Sequence, residues 1–209
     1  MPFAALALAL PLAVFASGCG RSATKNSAAA AASPAPLTCP TTWAAGWLEL
    51  AKRIDAPVYC PTWMPQPLDG KIGGDYAQPP YLGPDRSYLV SFIWFEKMPT
   101  APYEVHVNLR GYPGRTAIPT CEDTIITSGK VFRPNVPCFA DAHGHIVAGK
   151  TSATIYTVNQ GIDTWHVLLA WHHDGSLYTI SQHVAPPFTY SKVVQNLTRM
   201  LRGLVLVRP

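Results

Sequence analysis

The chain reads as an α+β domain, a single antiparallel β-sheet with one helix from each end of the domain packed on its apolar face. Three observations lead there. Proline is 21 of 209 residues, roughly twice the usual share of about 5%, which disfavours a helical bundle and favours strands joined by rigid turns. Apolar residues recur at helical spacing only near the two ends of the domain, whereas the segments between them alternate with period two. Asp174-Gly175 separates two alternating runs, the strongest hairpin signal in the chain.

Each element follows from its residues. Trp43, Trp47, Ala51 and Ile54 share one face over Thr41 to Asp55, with Glu49, Lys52, Arg53 and Asp55 on the other, so an amphipathic helix is expected, capped by Thr41 or Thr42 and stopped by Pro57. Its tryptophans belong to the core. Ser87 to Glu96 is β-branched and aromatic with apolar residues on both faces, the pattern of a central strand. Tyr103 to Arg110 alternates, placing Tyr103, Val105, Val107 and Leu109 inward and Glu104, His106, Asn108 and Arg110 outward. Pro99 and Pro102 turn the chain between these two strands into a hairpin. Shorter strands are expected at Thr124 to Thr127, Lys130 to Arg133, His145 to Ala148 and Ala153 to Asn159, with Gly114, Ser128-Gly129 and His143-Gly144 as turns.

A two-residue turn at Asp174-Gly175 fixes the register of Trp165–His173 against Ser176–Val184. His173 then faces Ser176, His172 faces Leu177, and His166 faces His183. Trp165, Val167, Leu169 and Trp171 meet Tyr178, Ile180 and Gln182 on the core side. After Pro186-Pro187, Tyr190 to Val207 closes the chain as a helix striped by Val194, Leu197, Leu201 and Leu204, with Arg199 and Arg202 near its C-terminal end.

The five cysteines divide by context. Cys19 follows an uncharged apolar run from Met1 to Gly18 and the small residues Ala16-Ser17-Gly18. This arrangement resembles a bacterial lipoprotein signal, which implies cleavage after Gly18 and a diacylglyceryl thioether on Cys19. The run is short for a membrane span and is interrupted by Pro2 and Pro11. It departs from the pattern in lacking an early Lys or Arg and in carrying Ala16 where Leu is usual; an ordinary secretory signal is the alternative. Residues 1–18 are thus read as signal, 19–37 as lipidated Cys and Ala/Ser/Pro tether, and 38–209 as one globular domain. Fully extended, the tether reaches roughly 60 Å at about 3.3 Å per residue.

Cys39, Cys60, Cys121 and Cys138 remain, an even number in an exported chain. They allow three pairings; Cys39 with Cys60 and Cys121 with Cys138 each close a local loop and are preferred. A zinc site is the rival use, against which stands the lack of any CxxC pair.

The net charge is +4, and the cations are scattered from Arg21 to Arg208 without a cluster. Nucleic acid is not an expected partner. No G-x-S-x-G, H-E-x-x-H or P-loop motif occurs. His173, Asp174 and Ser176 are neighbours in a tight turn, whereas a triad needs convergence from separate segments. Glu122-Asp123 is the only adjacent acidic pair and reads as solvated loop. No catalytic residue and no cofactor are expected. Histidines carry the remaining signal: opposed His166 and His183 would place their Cβ atoms about 5 Å apart, where neutral imidazoles can share Zn²⁺ or Cu²⁺. Two titrating surface histidines are the plainer reading. Glu104, His106 and Asn108 complete such a site only if their strand lies adjacent.

Pro57-Val58-Tyr59-Cys60-Pro61-Thr62-Trp63-Met64-Pro65, the strand-rich middle, Trp171-His172-His173-Asp174-Gly175-Ser176-Leu177-Tyr178 and a closing helix are together similar to a domain of unknown function. That domain belongs to Gram-positive exported lipoproteins and anti-sigma-factor-associated proteins. The likeness spans most of Val58 to Val207 and rests on a Y-x-P-T-x-x-P opening and a W-x-x-x-G-x-x-Y hairpin. It implies a curved sheet related to the half-barrel lipoprotein carriers, which hold an apolar ligand or a partner segment without catalysis. The Cys121–Cys138 pair and the Pro-rich Gln78 to Pro84 loop depart from it, and no functional residue transfers. The expected protein is therefore a lipid-anchored lipoprotein on the extracytoplasmic face of the cell membrane, non-catalytic, binding an apolar ligand or an envelope protein. A secreted or anchored hydrolase or metal-binding protein using His166 and His183 is the alternative.

Overall fold

The computed structural model of the protein describes residues 37–68, 81–97, 102–158 and 165–209, with the side chains of 81, 95–97 and 102–104 left aside. The expected signal 1–18, Cys19 and the tether through residue 36 lie outside the described residues, as does Pro99 of the expected turn.

In chain order the elements are α1 (Thr41–Ile54), β1 (Val58–Pro61), β2 (Tyr81–Leu82), β3 (Tyr88–Lys97), β4 (Pro102–Tyr112), β5 (Thr120–Glu122), β6 (Ile125–Thr127) and β7 (Lys130–Phe132). They continue with β8 (Asn135–Pro137), β9 (Ala142–Ala148), β10 (Thr151–Val158), β11 (His166–His173), β12 (Ser176–His183), α2 (Tyr190–Arg202) and β13 (Leu204–Val207).

Helix α1 forms where the sequence places its apolar stripe, and Trp43, Trp47, Leu50, Ala51 and Ile54 are buried. Its N-cap is Pro40 rather than either threonine, without a side-chain cap. The Pro40 carbonyl accepts from the Trp43 and Ala44 N–H groups at 3.1 and 2.9 Å, so both threonines already lie inside the helix. Each indole N–H then docks α1 on β1: Trp43 Nε1 donates to Pro61 O at 3.2 Å and Trp47 Nε1 to Tyr59 O at 2.8 Å. Buried indoles need such partners. The Cys39–Cys60 disulfide covalently fastens the chain ahead of α1 to β1.

The main sheet has seven strands in the order β2-β3-β4-β12-β11-β10-β9, and every neighbouring pair is antiparallel. The expectation of a single sheet is corrected, because three further two-stranded sheets exist: β1-β13, β5-β8 and β6-β7. Two of them share one cause. The Cys121–Cys138 bridge pinches the chain on either side of residues 122–137, so β5 through β8 pair among themselves as a ribbon. Strand β3 was expected to be central, but only the two-residue β2 flanks its outer side. It is buried on both faces nonetheless, through Val90 and Phe92 on one and Leu89, Ser91 and Ile93 on the other.

The β11–β12 hairpin keeps the expected register, with His173 opposite Ser176 and His166 opposite His183. Asp174 and Gly175 have φ values of 46° and 69°, as a primed turn requires. Trp165 departs from expectation: its φ is 65° and its side chain is 69% exposed, so it stands outside the strand and off the core face. His143-Gly144-His145 is likewise no turn but part of β9, paired with β10 across a register shift at Ile155/Tyr156.

Helix α2 is capped by Thr189, whose hydroxyl accepts from the Lys192 N–H at 3.3 Å. It ends before Gly203, so the expectation of helix through Val207 is corrected. The Gly203 carbonyl accepts from Thr62 Oγ1 at 2.7 Å, and Leu204–Val207 extend as β13 against β1, with Val58 opposite Val207. Backbone pairing to β1 outweighs another helical turn here, helped by the β-branched Val205 and Val207. The buried face of α2 is Val193, Asn196, Leu197, Met200 and Leu201, and Leu204 has left it.

One core joins both helices to the sheet, with Trp43 and Trp47 against Phe92 at centroid distances of 5.4 and 5.9 Å. The opposite face is covered as well, by a smaller cluster of Phe139, Val158, Leu168, Ala170 and Leu177. Asn108 and Arg110, expected to face solvent, are accordingly buried at 4% and 8% exposure.

Candidate functional site

Two places bring functional side chains together. The first is a row of imidazoles on the sheet face opposite the helices. Strand β4 does lie beside β12, so His106 joins His166 and His183. His106 Nε2 and His166 Nε2 are 2.8 Å apart, and the His166 and His183 rings stack at 5.2 Å. His166 is 3% exposed, so the plain expectation of two surface histidines is corrected for that residue, which the neighbouring strands bury, while His183 is partly exposed. A hydrogen bond between two such nitrogens requires one ring to donate and the other, neutral at that atom, to accept. Among the described residues no group of three His, Cys, Asp or Glu side chains is arranged to hold a metal ion.

The remaining histidines are dispersed. His172 Nε2 bonds the Thr116 carbonyl at 2.8 Å, His143 Nε2 bonds Thr157 Oγ1 at 2.6 Å, and His145 Nδ1 meets Thr154 Oγ1 at 3.3 Å. His173 Nε2 stands 3.1 Å from Asp174 Oδ2, while Ser176 Oγ turns away to accept from the Gly114 N–H at 3.0 Å. Those three residues are turn chemistry.

The second place is a groove of about 610 Å³ between the start of α1, residues 62–66 and α2. Trp43, Trp63, Met64 and Phe188 supply its apolar walls, and Lys192 and Arg199 from α2 supply two cations. Lys192 and Arg199 lie seven positions, about two turns, apart on one side of α2, and both line the groove. The Arg199 guanidinium stacks 3.9 Å from the Trp63 ring centroid, holding charge against an aromatic plane. Below, Asn196 Nδ2 donates to Gln182 Oε1 at 3.2 Å, a buried amide pair joining α2 to β12. No carboxylate lines the groove among the described residues. It can accept a molecule with an apolar body and an anionic end.

A second cavity of about 440 Å³ is lined by Asp85, Arg110, Arg115 and the Cys121–Cys138 pair, and the Asp85 carboxylate is engaged within it. Arg115 stands 3.1 Å from Asp85, and Ser87 Oγ donates to the same carboxylate at 2.6 Å. The Ser87 hydrogen bond, with Arg115 assisting against partial burial, holds the Asp85 carboxyl below its ordinary range.

His166 and His183 are legible in residue order, and His106 joins them because β4 lies beside β12. The groove is not legible there, because Trp63 and Met64 come from the segment after β1 whereas Lys192 and Arg199 come from α2. Fold and grooves define an antiparallel sheet with two helices on one face and an open cleft at the helix ends. No family model, curated protein or solved structure matches this chain. No helix among the described residues is long and apolar enough to cross a membrane.

Proposed function

We propose that the protein is a lipid-anchored extracytoplasmic domain of the cell envelope that binds, without catalysis, an amphiphilic ligand with an anionic end group. The groove beneath Trp63 and Arg199 carries this reading, since it pairs apolar walls with two cations and no described carboxylate. Cys19 and the tether, with the two disulfides, support an anchored domain outside the cytoplasm. The reading keeps the curved half-barrel as its picture of the sheet, with α1 and α2 at the open side.

Native mass spectrometry of the protein, extracted from membranes in mild detergent, tests it. An adduct in the mass range of a single-chain or double-chain acidic amphiphile is expected, and it should be lost in Arg199→Glu. Persistent binding in that variant, or no adduct together with no response of Trp63 fluorescence to dodecyl phosphate, would overturn the ligand. Acyl chains missing from the intact mass at Cys19 would overturn the anchor separately.

A further inference from the structure

Asn196 is the one polar residue on the buried face of α2, and it also lines the groove, between Lys192 before it and Arg199 after it. Behind it, Gln182 of β12 is fully buried. The two side chains share a single hydrogen bond, from Asn196 Nδ2 to Gln182 Oε1. Its direction leaves Gln182 Nε2 buried with no acceptor among the described residues. A buried donor left unmade costs more than an ordinary hydrogen bond gains, so the orphan calls for a cause.

Half-turns of the two carboxamides supply one. Reversed, Gln182 Nε2 donates to Asn196 Oδ1, and a carbonyl, the milder loss, takes the buried place of the orphan donor. Asn196 Nδ2 then donates outward into the groove. Lys192, Asn196 and Arg199 recur at i, i+4 and i+7, so one side of α2 offers three donors over about two turns. Stacking on Trp63 holds the Arg199 plane and leaves its edge N–H groups able to bond. A carboxylate brings two oxygens in one plane and a single charge. A phosphate monoester brings three terminal oxygens and close to two negative charges, which match one amide and two cations.

We propose that the groove selects an amphiphile ending in a phosphate monoester, that Asn196 reads the phosphate oxygens, and that Gln182 is a positioning residue that turns the Asn196 amide toward them. The inference rests on the groove reading above and deepens it by naming the end group.

Titration calorimetry of the full oxidised chain carrying Cys19→Ser, with monomeric dodecyl phosphate, dodecanoate and inorganic phosphate, tests it. Dodecyl phosphate should bind at least ten-fold more tightly than dodecanoate at neutral pH. Its affinity should rise through the second phosphate ionisation near pH 6, whereas singly charged dodecyl methyl phosphate should not follow. Asn196→Leu should reduce the preference for phosphate to about two-fold or less. Pairing Asn196→Leu with Gln182→Met removes both amides and should keep the parent's melting temperature, so the same loss can be read in a folded protein. Gln182→Met alone should weaken the preference several-fold while the melting temperature holds or rises; a merely structural amide would lower the melting temperature and leave the preference unchanged. Equal affinity for dodecyl phosphate and dodecanoate in the parent, or a preference that survives in the paired variant, overturns the inference and leaves the groove reading standing. Inorganic phosphate that competes as well as dodecyl phosphate overturns the amphiphile and assigns the site to free phosphate. No heat with either dodecyl compound overturns the groove reading and this inference with it.

Discussion

Gly111 lies directly opposite Tyr88 in the β3–β4 ladder, where a Cβ on Gly111 would stand 2.8 Å from Cζ and 3.0 Å from the hydroxyl of the Tyr88 ring. The buried ring fills the space that any other side chain would take. Gly111→Ala should therefore destabilise the protein by about 1–3 kcal/mol through overpacking. Urea unfolding checks it, and in a Tyr88→Ala background the same change should cost less, since the clashing atoms are gone. An additive double-mutant cycle would contradict the relationship.

Tyr88 also sets a pH limit. Burial pushes its hydroxyl far above the ordinary tyrosine value, and burial raises Tyr59 and Tyr178 as well. The three hydroxyls stay protonated in the fold while the unfolded chain ionises at about pH 10. Their contribution is complete below that value and lost as pH rises above it, because the unfolded state then gives up protons that the folded state retains. Unfolding free energy measured from pH 8 upward should be flat with respect to tyrosine, then fall. In Tyr88→Phe the fall should be shallower.

The two disulfides close loops with sequence separations of 21 and 17. In the chain-entropy model each contributes about 3 kcal/mol. Paired Cys39→Ala and Cys60→Ala replacement should lower the global melting temperature, since β1 and α1 belong to the main core. Paired Cys121→Ala and Cys138→Ala replacement should act more locally, and hydrogen exchange would report faster opening in Thr120–Pro137 than in β11 and β12. Equal protection across both regions would count against a separable ribbon.

In the imidazole row, His166→Ala removes a buried ring and its bond to His106, and a loss of about 1–3 kcal/mol is expected by thermal or urea unfolding. Elemental analysis of the purified protein should return no stoichiometric zinc or copper. A metal retained by the parent and lost in His183→Ala would reassign the row as a metal centre.

How much of this was readable in residue order differs by element. The Asp174-Gly175 turn fixed every pair from His173–Ser176 to His166–His183, since a two-residue loop leaves the ladder no other register. The stripe of Trp43, Trp47, Ala51 and Ile54 located α1, and the even set of cysteines with its short spacings gave the bridges found. Trp165 and the end of α2 were misread for one reason: alternation and helical periodicity continue past the point where a positive φ or a glycine breaks the backbone.

Local chemistry in the chain located both helices, though not the cap of α1 or the end of α2, and settled the main hairpin and the cysteine partners, because these depend on neighbours a few tens of residues apart at most. Tertiary structure alone decided that β13 returns to β1, that His106 reaches His166 across 60 positions, and that both faces of the sheet are covered. Such contacts form between segments whose periodicity says which face is apolar but carries no record of what that face will meet.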